Sequence, residues 1–419
     1  MTFIPLSPPH GASEPISLDE AYAAIERLLA PIATTETVSL AEASDRVLAT
    51  EARSGIPLPA FDNSAVDGYG IHEDDVAHTG KLDVIGRVTA GNPSTLALRP
   101  GQAVHLATGA IIPEGVATVA MHEKTVRAGA NVVLREPHAI GANIRKSGED
   151  VTEGSVVVHA GTLLDYRHVA ILASAGLPAV SVRRKVRVAL LSTGDEVRPA
   201  GERLETGQIY DVNSPMLSAL LDRGYAEVVA SPHTADDAET IGRLLLAVSD
   251  GVDLIITTGG AAGSDSDHAL AAVLAAGGLA TSLRLSLRPG KPIVVGRIGP
   301  CLVLSLPGNP LAALVNFLLF ARPAMLALSG KDFRRPRGQA AVAAEQISHT
   351  AGRTEFAPGR IVGIAPDGRP LVVRIGRGGS ARLRPLVDAD GLIELDPDRS
   401  TVETGAPLHF HPFSASFAP

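Results

Sequence analysis

Hydrophobic residues change their spacing several times along this chain, which divides it into segments of different predicted structure. Ser17-Leu-Asp-Glu20 has the residues of a helix capping box, and apolar residues follow it at helical spacing until Pro31. A second stretch of helical pattern covers residues 40–49. Over residues 56–137, short apolar runs alternate with Gly, Pro and Asn turns, which predicts a module rich in β-strands.

Between residues 187 and 330, continuous Val/Ile/Leu runs alternate with helical segments. Strands are predicted at 186–191, 227–230, 254–257, 293–295 and 302–306. Continuous apolar strands bounded by helices indicate a parallel sheet that is covered on both faces. Ligands bind such sheets at the carboxyl ends of the strands. After Gly330 the helices stop and short strands return, which predicts a small β-barrel or sandwich.

A chain of 419 residues is too long for one hydrophobic core, so several domains are expected. The predicted fold class is multidomain α/β plus β, with a central doubly wound parallel sheet, an inserted β-rich domain, a linker domain and a C-terminal β-barrel. The predicted boundaries are 1–55 with 138–178 for the discontinuous linker domain, 56–137 for the inserted domain, 179–330 for the α/β domain and 331–419 for the barrel.

Composition excludes several classes of protein. The net charge of −8 is spread without long runs, whereas a nucleic-acid partner requires a basic face. The single cysteine, Cys301, excludes an intramolecular disulfide and a cysteine-based zinc site, and its apolar surroundings in sequence predict a buried thiol. The N-terminus lacks a basic region typical of signal peptides, and no apolar stretch is expected to reach the length needed to span a membrane. A cytoplasmic protein is therefore expected.

Four polar turns follow or precede the strands of the α/β segment. They are Ser192-Thr-Gly-Asp-Glu196, Gly259-Gly260 with the acids Asp265 and Asp267 after it, Arg288-Pro-Gly-Lys291 and Pro307-Gly-Asn-Pro310. Each taken alone is turn chemistry more often than a site, and Ser264 or Asp265 could simply cap the helix that follows. Together they offer carboxylates, cations and free N–H donors, a set that suits a phosphorylated ligand held through a divalent metal.

Other chemistries lack their motifs. The chain has no Gly-x-Ser-x-Gly nucleophile turn, no Walker lysine loop and no Gly-x-Gly-x-x-Gly. Covalent catalysis by an activated serine, ATP hydrolysis and nicotinamide chemistry are therefore disfavoured.

Six segments in this order resemble the MoeA family of molybdenum-insertion proteins, which includes the gephyrin E domain. They are Phe61-Asp-Asn-Ser-Ala-Val-Asp-Gly-Tyr69, the stretch from Gly141 to Asp150, Ser192 to Glu196, Gln208-Ile-Tyr-Asp-Val-Asn213, Pro289-Gly-Lys-Pro292 and Pro307-Gly-Asn-Pro310. The resemblance implies a magnesium-dependent molybdopterin molybdenumtransferase, which places molybdenum from molybdate on adenylylated molybdopterin and releases AMP. It also implies a homodimer whose active site is shared between subunits.

The resemblance implies roles for residues at matching positions. Asp62, Thr108, Asp150, Glu196 and Lys291 would be catalytic, the first three supplied by the partner subunit, and Glu196, Asp236 and Asp267 would hold Mg²⁺. Substrates would be bound by Ser192, Thr193, Gly194, Asp195, Gly259, Gly260, Pro307, Gly308 and Asn309, with molybdate near Arg288, Lys291, Arg353 and Ser380. Fixed cations and hydroxyl donors suit a tetrahedral dianion.

A few positions depart from the family pattern. Ala262 and Ser264 replace a serine and a glycine, Ala312 replaces a serine that would face molybdate, and Arg288 stands where lysine is common. Two other functions therefore stay open: a non-catalytic molybdopterin-binding scaffold or carrier, and the adenylyltransferase that makes the activated pterin. That adenylyltransferase and the molybdoenzymes that receive the cofactor are expected partners besides the second subunit.

Overall fold

The structure is a computed structural model that describes residues 15–77, 79–259, 266–376 and 382–413, with residues 266 and 267 described by their backbone alone. The chain forms two compact units. The first comprises Met1–Ala49, Gly161–Asp165 and Ser181–Pro419, and the second comprises Thr50–Ala160 and Tyr166–Val180. The boundaries of the four domains named above stay a prediction.

The α-helices of the described residues are α1 (Leu18–Glu26), α2 (Tyr166–Ser174), α3 (Asn213–Leu221), α4 (Ala238–Ser249), α5 (Ser266–Ala275), α6 (Pro310–Asn316), α7 (Arg322–Leu328) and α8 (Arg384–Val387). The strands of the N-terminal part are β1 (Thr35–Ser39), β2 (Ala52–Arg53), β3 (Asn63–Ser64), β4 (Gly68–Ile71), β5 (Lys81–Val88), β6 (Gln102–Leu106), β7 (Thr118–Met121), β8 (Thr125–Ala128), β9 (Asn131–Leu134), β10 (Ile144–Arg145), β11 (Val156–Val158) and β12 (Ala179–Arg183).

The strands of the C-terminal part are β13 (Val186–Thr193), β14 (Val197–Arg198), β15 (Ile209–Tyr210), β16 (Ala226–Ala230), β17 (His233–Thr234), β18 (Leu254–Thr258), β19 (Leu279–Leu283), β20 (Leu287–Arg288), β21 (Ile293–Ile298), β22 (Cys301–Leu306), β23 (Gln339–Ala343), β24 (Ile347–Ser348), β25 (Thr354–Ile364), β26 (Pro370–Arg374), β27 (Gly391–Leu395), β28 (Thr401–Val402) and β29 (Pro407–Pro412).

Helix α1 begins as its sequence predicts. The Glu20 N–H donates to Ser17 Oγ (3.2 Å), and the Ser17 N–H donates to Glu20 Oε2 (2.7 Å), which closes a capping box. The predicted helix at 40–49 is wrong, because only Leu40–Glu42 forms a 3₁₀ turn. Asp45 has φ +58°, a left-handed conformation that ends a right-handed helix.

The central sheet has the strand order β16-β13-β18-β22-β21-β19, and β17 also pairs with β13. Strands β16, β13, β18 and β22 run parallel. Alternate residues of β13 face opposite sides: Val188 and Leu190 pack with α1, α3 and α6, whereas Ala189 and Leu191 pack with α4 and α5. Helices thus cover both faces, as the continuous apolar strands predict.

Two strands at one side of this sheet depart from the predicted parallel arrangement. Strand β21 runs antiparallel to β22, with Val294 opposite Ser305, and β19 runs antiparallel to β21. Only Gly299 and Pro300 connect β21 to β22. A parallel connection needs a crossover of a dozen or more residues, so a link of this length makes a hairpin.

A long apolar helical stretch covers Pro310–Leu328, in which a π-helical segment, Phe317–Ala321, joins α6 to α7. By length and composition alone it could cross a membrane, so the expectation that no apolar stretch reaches that length is wrong. Its most apolar window is 83% buried within the protein, and Phe317 and Phe320 are fully buried. The stretch is apolar all round because it forms part of the core.

The C-terminal strands form a closed barrel in the order β25-β26-β23-β29-β27, since β27 also pairs with β25. Its interior holds a separate apolar cluster that includes Val372, Ile393 and Phe410. Strand β20 joins the barrel from outside, with Arg288 opposite Glu355 of β25. The turn that carries Arg288 and Lys291 therefore links the barrel to the α/β sheet.

The second unit contains a six-stranded sheet of order β7-β4-β6-β5-β9-β8. Its strands are antiparallel except for the parallel pair β5 and β6. Two apolar clusters fill it, one around Ile71 and Val132 and the other around Leu106 and Val119. The predicted β-rich module is confirmed over this part of the chain.

Candidate functional site

Glycine turns lie at the ends of three neighbouring parallel strands of the central sheet. The register pairs Ser192 of β13 with Thr258 of β18, and Thr258 with Leu306 of β22. The turns that follow these strands hold Gly194 (φ +138°), Gly259 (φ +99°) and Gly308.

The second turn has no room for a side chain, and the third turn packs against it. A Cβ on Gly259 would lie 2.4 Å from the Thr193 carbonyl oxygen, and one on Gly308 would lie 3.4 Å from Gly259 Cα. The Asn213 side-chain amide donates to the Gly308 carbonyl (2.7 Å) and ties α3 to the third turn. The structure thus brings the predicted residues 192–195, Gly259 and 307–309 to one rim, with backbone close to the surface where a ligand would approach.

Carboxylates stand at the same rim. Asp195 and Glu196 are exposed in the turn after β13, and Asp195 Oδ1 accepts the N–H of Asp236 (3.3 Å). These oxygen donors are of the type that Mg²⁺ prefers. Within the residues that the structure describes, no three acidic, histidine or cysteine side chains form a metal-binding group. Glu196 and Asp236 therefore stay predicted ligands.

Next to the third turn, a cleft of about 370 Å³ opens between the sheet rim and the barrel. Its lining includes the predicted residues Arg288, Lys291, Pro307, Gly308, Asn309 and Arg353, and also Ala312, Glu355, Arg374 and Arg382. Five of these side chains are cationic at neutral pH and one is a carboxylate. The cleft is therefore electropositive and suits a small anion.

Lys291 shows the effect of this crowding of positive charge. Partial burial lowers the pKa of its ammonium, and the charges of Arg353 and Arg284 lower it further. A bound anion would offset the repulsion from these arginines and raise the pKa of Lys291 again, so the arrangement favours anion binding.

The turn that carries Lys291 packs closely against helix α6. Gly290 has φ +122°, and a Cβ there would lie 2.1 Å from the side-chain nitrogen of Asn316. Asn316 is fully buried and donates to the Ala312 carbonyl (2.8 Å). Ala312, which stands where the family pattern has serine, is 3% exposed and lines the cleft. The first turns of α6 thus form the floor under the basic turn.

Sequence reasoning missed four residues of this site: Asn213, Glu355, Arg374 and Arg382. Asn213 is the first residue of α3, and its side chain donates to the Gly308 carbonyl, whereas Asp211 Oδ1 accepts the Ser214 N–H (3.0 Å). Glu355 and Arg374 meet through barrel closure. The sequence offered a signal only for Glu355, which lies two residues after Arg353 and therefore on the same side of an extended chain.

In the second unit, the structure brings the segments of Asp62, Thr108 and Asp150 together. The N–H of Ile112 donates to the Asp62 carbonyl, the N–H of Gly109 to the Ser64 carbonyl and the N–H of Asp150 to the Leu58 carbonyl. Thr108 and Asp150 are exposed, so their side chains are accessible.

Asp62 is held by two donors. Lys146 Nζ donates to its Oδ2 (2.8 Å) and the Ser147 N–H to its Oδ1 (2.8 Å). The Lys146 hydrogen bond, followed by that of Ser147, lowers the pKa of the Asp62 carboxyl below its usual range. Asp62 is thus an ionised carboxylate at neutral pH, suited to orient a cationic or hydrogen-bond donor group.

Three predicted residues, together with two of the departures from the family pattern, lie outside what the structure describes. Gly260, Ser380, Ala262 and Ser264 fall in undescribed segments, and the side chain of Asp267 is not described. Their predicted roles stay predictions.

Comparison with known proteins places the whole chain in one family. Residues 16–176 match the family model of the MoeA N-terminal region (domain I and II), residues 189–327 match a probable molybdopterin binding domain, and residues 340–413 match the MoeA C-terminal region (domain IV). A molybdopterin molybdenumtransferase of Haemophilus influenzae is 33% identical over 401 residues, which cover 95% of this chain and 99% of that protein.

Two further proteins of this kind are similar to the chain over most of its length. Molybdopterin molybdenumtransferase 2 of Mycobacterium tuberculosis is 33% identical over 387 residues, covering 89% of this chain and 93% of its own. The crystal structure of a molybdopterin biosynthesis moeA protein from Pyrococcus horikoshii is 28% identical, covers 96% of this chain and 100% of its own, and superposes with a TM-score of 0.79. The predicted fold class is confirmed, and the chain belongs to the MoeA family.

Proposed function

We propose that this protein is a molybdopterin molybdenumtransferase, which transfers molybdenum from molybdate to adenylylated molybdopterin and releases AMP. The observation that carries the proposal is the cleft in which Arg288, Lys291 and Arg353 stand beside the Pro307–Asn309 turn. Such a cleft suits a tetrahedral dianion, and the adjoining glycine turns suit a phosphate-linked ligand.

The residues of the rim have different binding roles, which follow from their chemistry. Main-chain groups of Gly194, Gly259 and Gly308 let the substrate approach the sheet closely. Lys291 and the arginines of the cleft neutralise molybdate and hold it beside the sulfur atoms that receive it. Glu196 and Asp236, with Asp267, would hold Mg²⁺, which when bound neutralises the charge of the phosphates.

The second unit supplies the other group of residues. Asp62, Thr108 and Asp150 lie on neighbouring segments with accessible side chains, and we infer that they complete the site of a second copy in a homodimer. The paired Lys146 keeps Asp62 charged for that role. We place the enzyme in the cytoplasm, where the molybdopterin adenylyltransferase and the molybdoenzymes would be its partners.

A carrier without activity is the second candidate function, and one observation favours it. Ala312 removes a hydroxyl from the cleft wall at a position where the family has serine, which would weaken the hold on molybdate. Against it stands the charge of the cleft, where five cationic side chains face one carboxylate. A bound dianion would neutralise much of this surplus of positive charge.

Reconstitution distinguishes these functions. The purified full chain is incubated with adenylylated molybdopterin, Mg²⁺ and molybdate, and AMP release and molybdenum incorporation are followed. The proposal expects both, in stoichiometric amounts. Tight binding of the pterin without AMP release would establish the carrier instead, and synthesis of the adenylylated pterin from ATP and molybdopterin would establish the adenylyltransferase.

A matched pair of variants assigns the activity to the cleft. Arg353→Gln removes a cation of the cleft, whereas Arg360→Gln removes an exposed arginine of the nearby strand β25 that does not line it. We expect Arg353→Gln to raise the molybdate concentration needed for half-maximal AMP release about tenfold or more, the loss of roughly one charge-assisted hydrogen bond. Equal effects of the two variants would show that the cleft is not the molybdate site.

A further inference from the structure

Among the described residues, Glu355 is the one carboxylate that lines the cationic cleft. Glu355 is 3% exposed, although it stands among side chains that face an aqueous opening. A negative charge beside an anion site lowers the affinity for every anion by direct repulsion. Its presence there therefore requires a compensating role.

The contacts of Glu355 indicate that role. Arg374 Nη2 donates to Glu355 Oε1 (2.6 Å), and Arg374 Nη1 donates to the Ser348 carbonyl (3.2 Å), so both terminal nitrogens of this guanidinium are fixed. Glu355 Oε2 lies 3.7 Å from Arg288 Nη1. Two arginines of the cleft, one on β26 and one on β20, thus share one buried counter-ion.

The backbone holds this carboxylate firmly. Glu355 pairs with Leu395 of the closed barrel on one side and with Arg288 of β20 on the other. Arg288 is also held by Thr350, whose Oγ1 accepts from Arg288 Nη1 (3.2 Å). Because a guanidinium is planar and presents its donors in a fixed fork, its orientation decides which anion geometry it fits.

We propose that Glu355 is a positioning residue that sets the oxyanion selectivity of the cleft by fixing the guanidinium plane of Arg374 through a hydrogen bond, while its second oxygen attracts the charge of Arg288 from 3.7 Å. The inference rests on the proposed function, since it concerns the site to which molybdate is assigned. The charge of Glu355 lowers the affinity of the cleft for all dianions, but its hold on the donors increases discrimination by size. Donors that cannot rotate fit the larger molybdate and leave gaps around the smaller sulfate.

The test is the ratio of two dissociation constants. Molybdate and sulfate binding to the full chain are measured by calorimetry for the wild type and for Glu355→Gln. Both ions are tetrahedral dianions, so the loss of a negative charge changes both affinities by the same factor and cancels in the ratio. We expect the preference for molybdate over sulfate to fall at least about fivefold in Glu355→Gln, a loss of roughly 1 kcal/mol of discrimination.

A second variant and a control exclude a general loss of structure. Arg374→Lys keeps the charge but removes the fork, and should reduce the preference to a similar degree. Glu345→Gln, which changes an exposed glutamate of the same part of the chain, should leave the ratio unchanged. If Glu355→Gln does not fold, Arg374→Lys alone decides.

The outcomes are distinct. An unchanged molybdate-to-sulfate ratio in Glu355→Gln or Arg374→Lys, with tight binding by the wild type, overturns the inference and leaves the proposed function standing. Absence of molybdate binding by the wild type overturns the assignment of the cleft, and with it the inference. AMP release in the reconstituted reaction tests the proposed function separately.

Discussion

A buried pair of hydroxyls supports the sheet that carries the site, and removing either one should loosen that sheet measurably. Thr257 Oγ1 donates to Ser305 Oγ (2.6 Å) between the adjacent strands β18 and β22, just before the glycine turns. Thr257 is 4% exposed and Ser305 is 1% exposed. The side chains around them include Ile241 and Leu245 of α4, and Thr193, whose hydroxyl donates to the Thr258 carbonyl (3.4 Å).

The magnitude follows from what each change leaves behind. Thr257→Val keeps the shape of the side chain but leaves the buried Ser305 hydroxyl without its partner, at a cost of about 1–3 kcal/mol. Ser305→Ala strands the Thr257 hydroxyl at a similar cost. The double variant removes both groups, so its loss should be smaller than the sum by about 1 kcal/mol or more.

The chain has a natural probe for this measurement. Cys301 is the sole cysteine, lies fully buried in β22, and its burial raises the pKa of the thiol to about 12. A thiol reagent at pH 8 therefore labels it only when the sheet opens. A loss of about 1–3 kcal/mol should speed labelling roughly 5- to 150-fold, since each 1.4 kcal/mol is a factor of ten.

The result that would refute this reasoning is equally specific. If the effects of the two single changes multiply in the double variant, the hydroxyls do not interact energetically. If the single variants label at the wild-type rate, the hydroxyl pair does not stabilise the sheet. The reference is Val229→Ala, which changes a 41%-exposed residue of the edge strand β16 and should leave the labelling rate within about twofold of the wild type.

Three further predictions concern charge and hydrogen bonding. Molybdate affinity should fall as the pH rises through the lowered pKa of Lys291, and the fall should begin at a lower pH than for a free lysine. Lys291→Arg should abolish this step in a titration of Kd against pH, and the same midpoint in both proteins would contradict the prediction. Ala312→Ser should tighten molybdate binding about tenfold through one hydrogen bond to a charged ligand, and an unchanged Kd would remove this position from the site. Burial alone would raise the pKa of Glu394, but its hydrogen bond with His411 and the charge of Arg335 lower it, so its contribution to stability is present at neutral pH and is lost as the pH falls below the usual glutamate pKa of about 4.3. Glu394→Gln should therefore lower the free energy of unfolding by about 1–3 kcal/mol at pH 7 and make stability depend less on pH in the acid range. An unaltered dependence on acid pH would disprove the linkage.

The fold was predictable where one segment decides its own structure. The capping box starts α1 at Leu18, and the continuous apolar runs form the central sheet. The direction of β21 was also readable, because Gly299-Pro300 is too short for a parallel crossover, but the apolar runs alone suggested a parallel strand. The helix predicted at 40–49 is wrong because distant segments decide the structure there. Asp45 adopts a left-handed conformation, and the backbone of this stretch pairs with segments far away in the chain.

The site was predictable only in part, because some of its contacts join segments that are distant in the chain. The turns at 192–196 and 307–309 each follow a strand, so strand order alone brings them to one rim. Arg374 and Glu355 meet because the barrel closes, which pairs strands far apart in the chain. No local pattern reveals a contact made in this way, so the positioning carboxylate and two of the cations were missed.

The antiparallel strand explains why the basic turn reaches the site at all. In a wholly parallel sheet, residues that precede β21 would lie at the edge opposite the glycine turns. Because β21 is reversed, its first residue, Ile293, lies beside the carboxyl end of β22, and Lys291 enters the rim. The strand before the turn, β20, is paired with the barrel through Arg288 and Glu355. Four residues, 289–292, therefore connect two sheets that are each fixed by their own core, and the cleft between them is set by the chain's connectivity before any ligand binds.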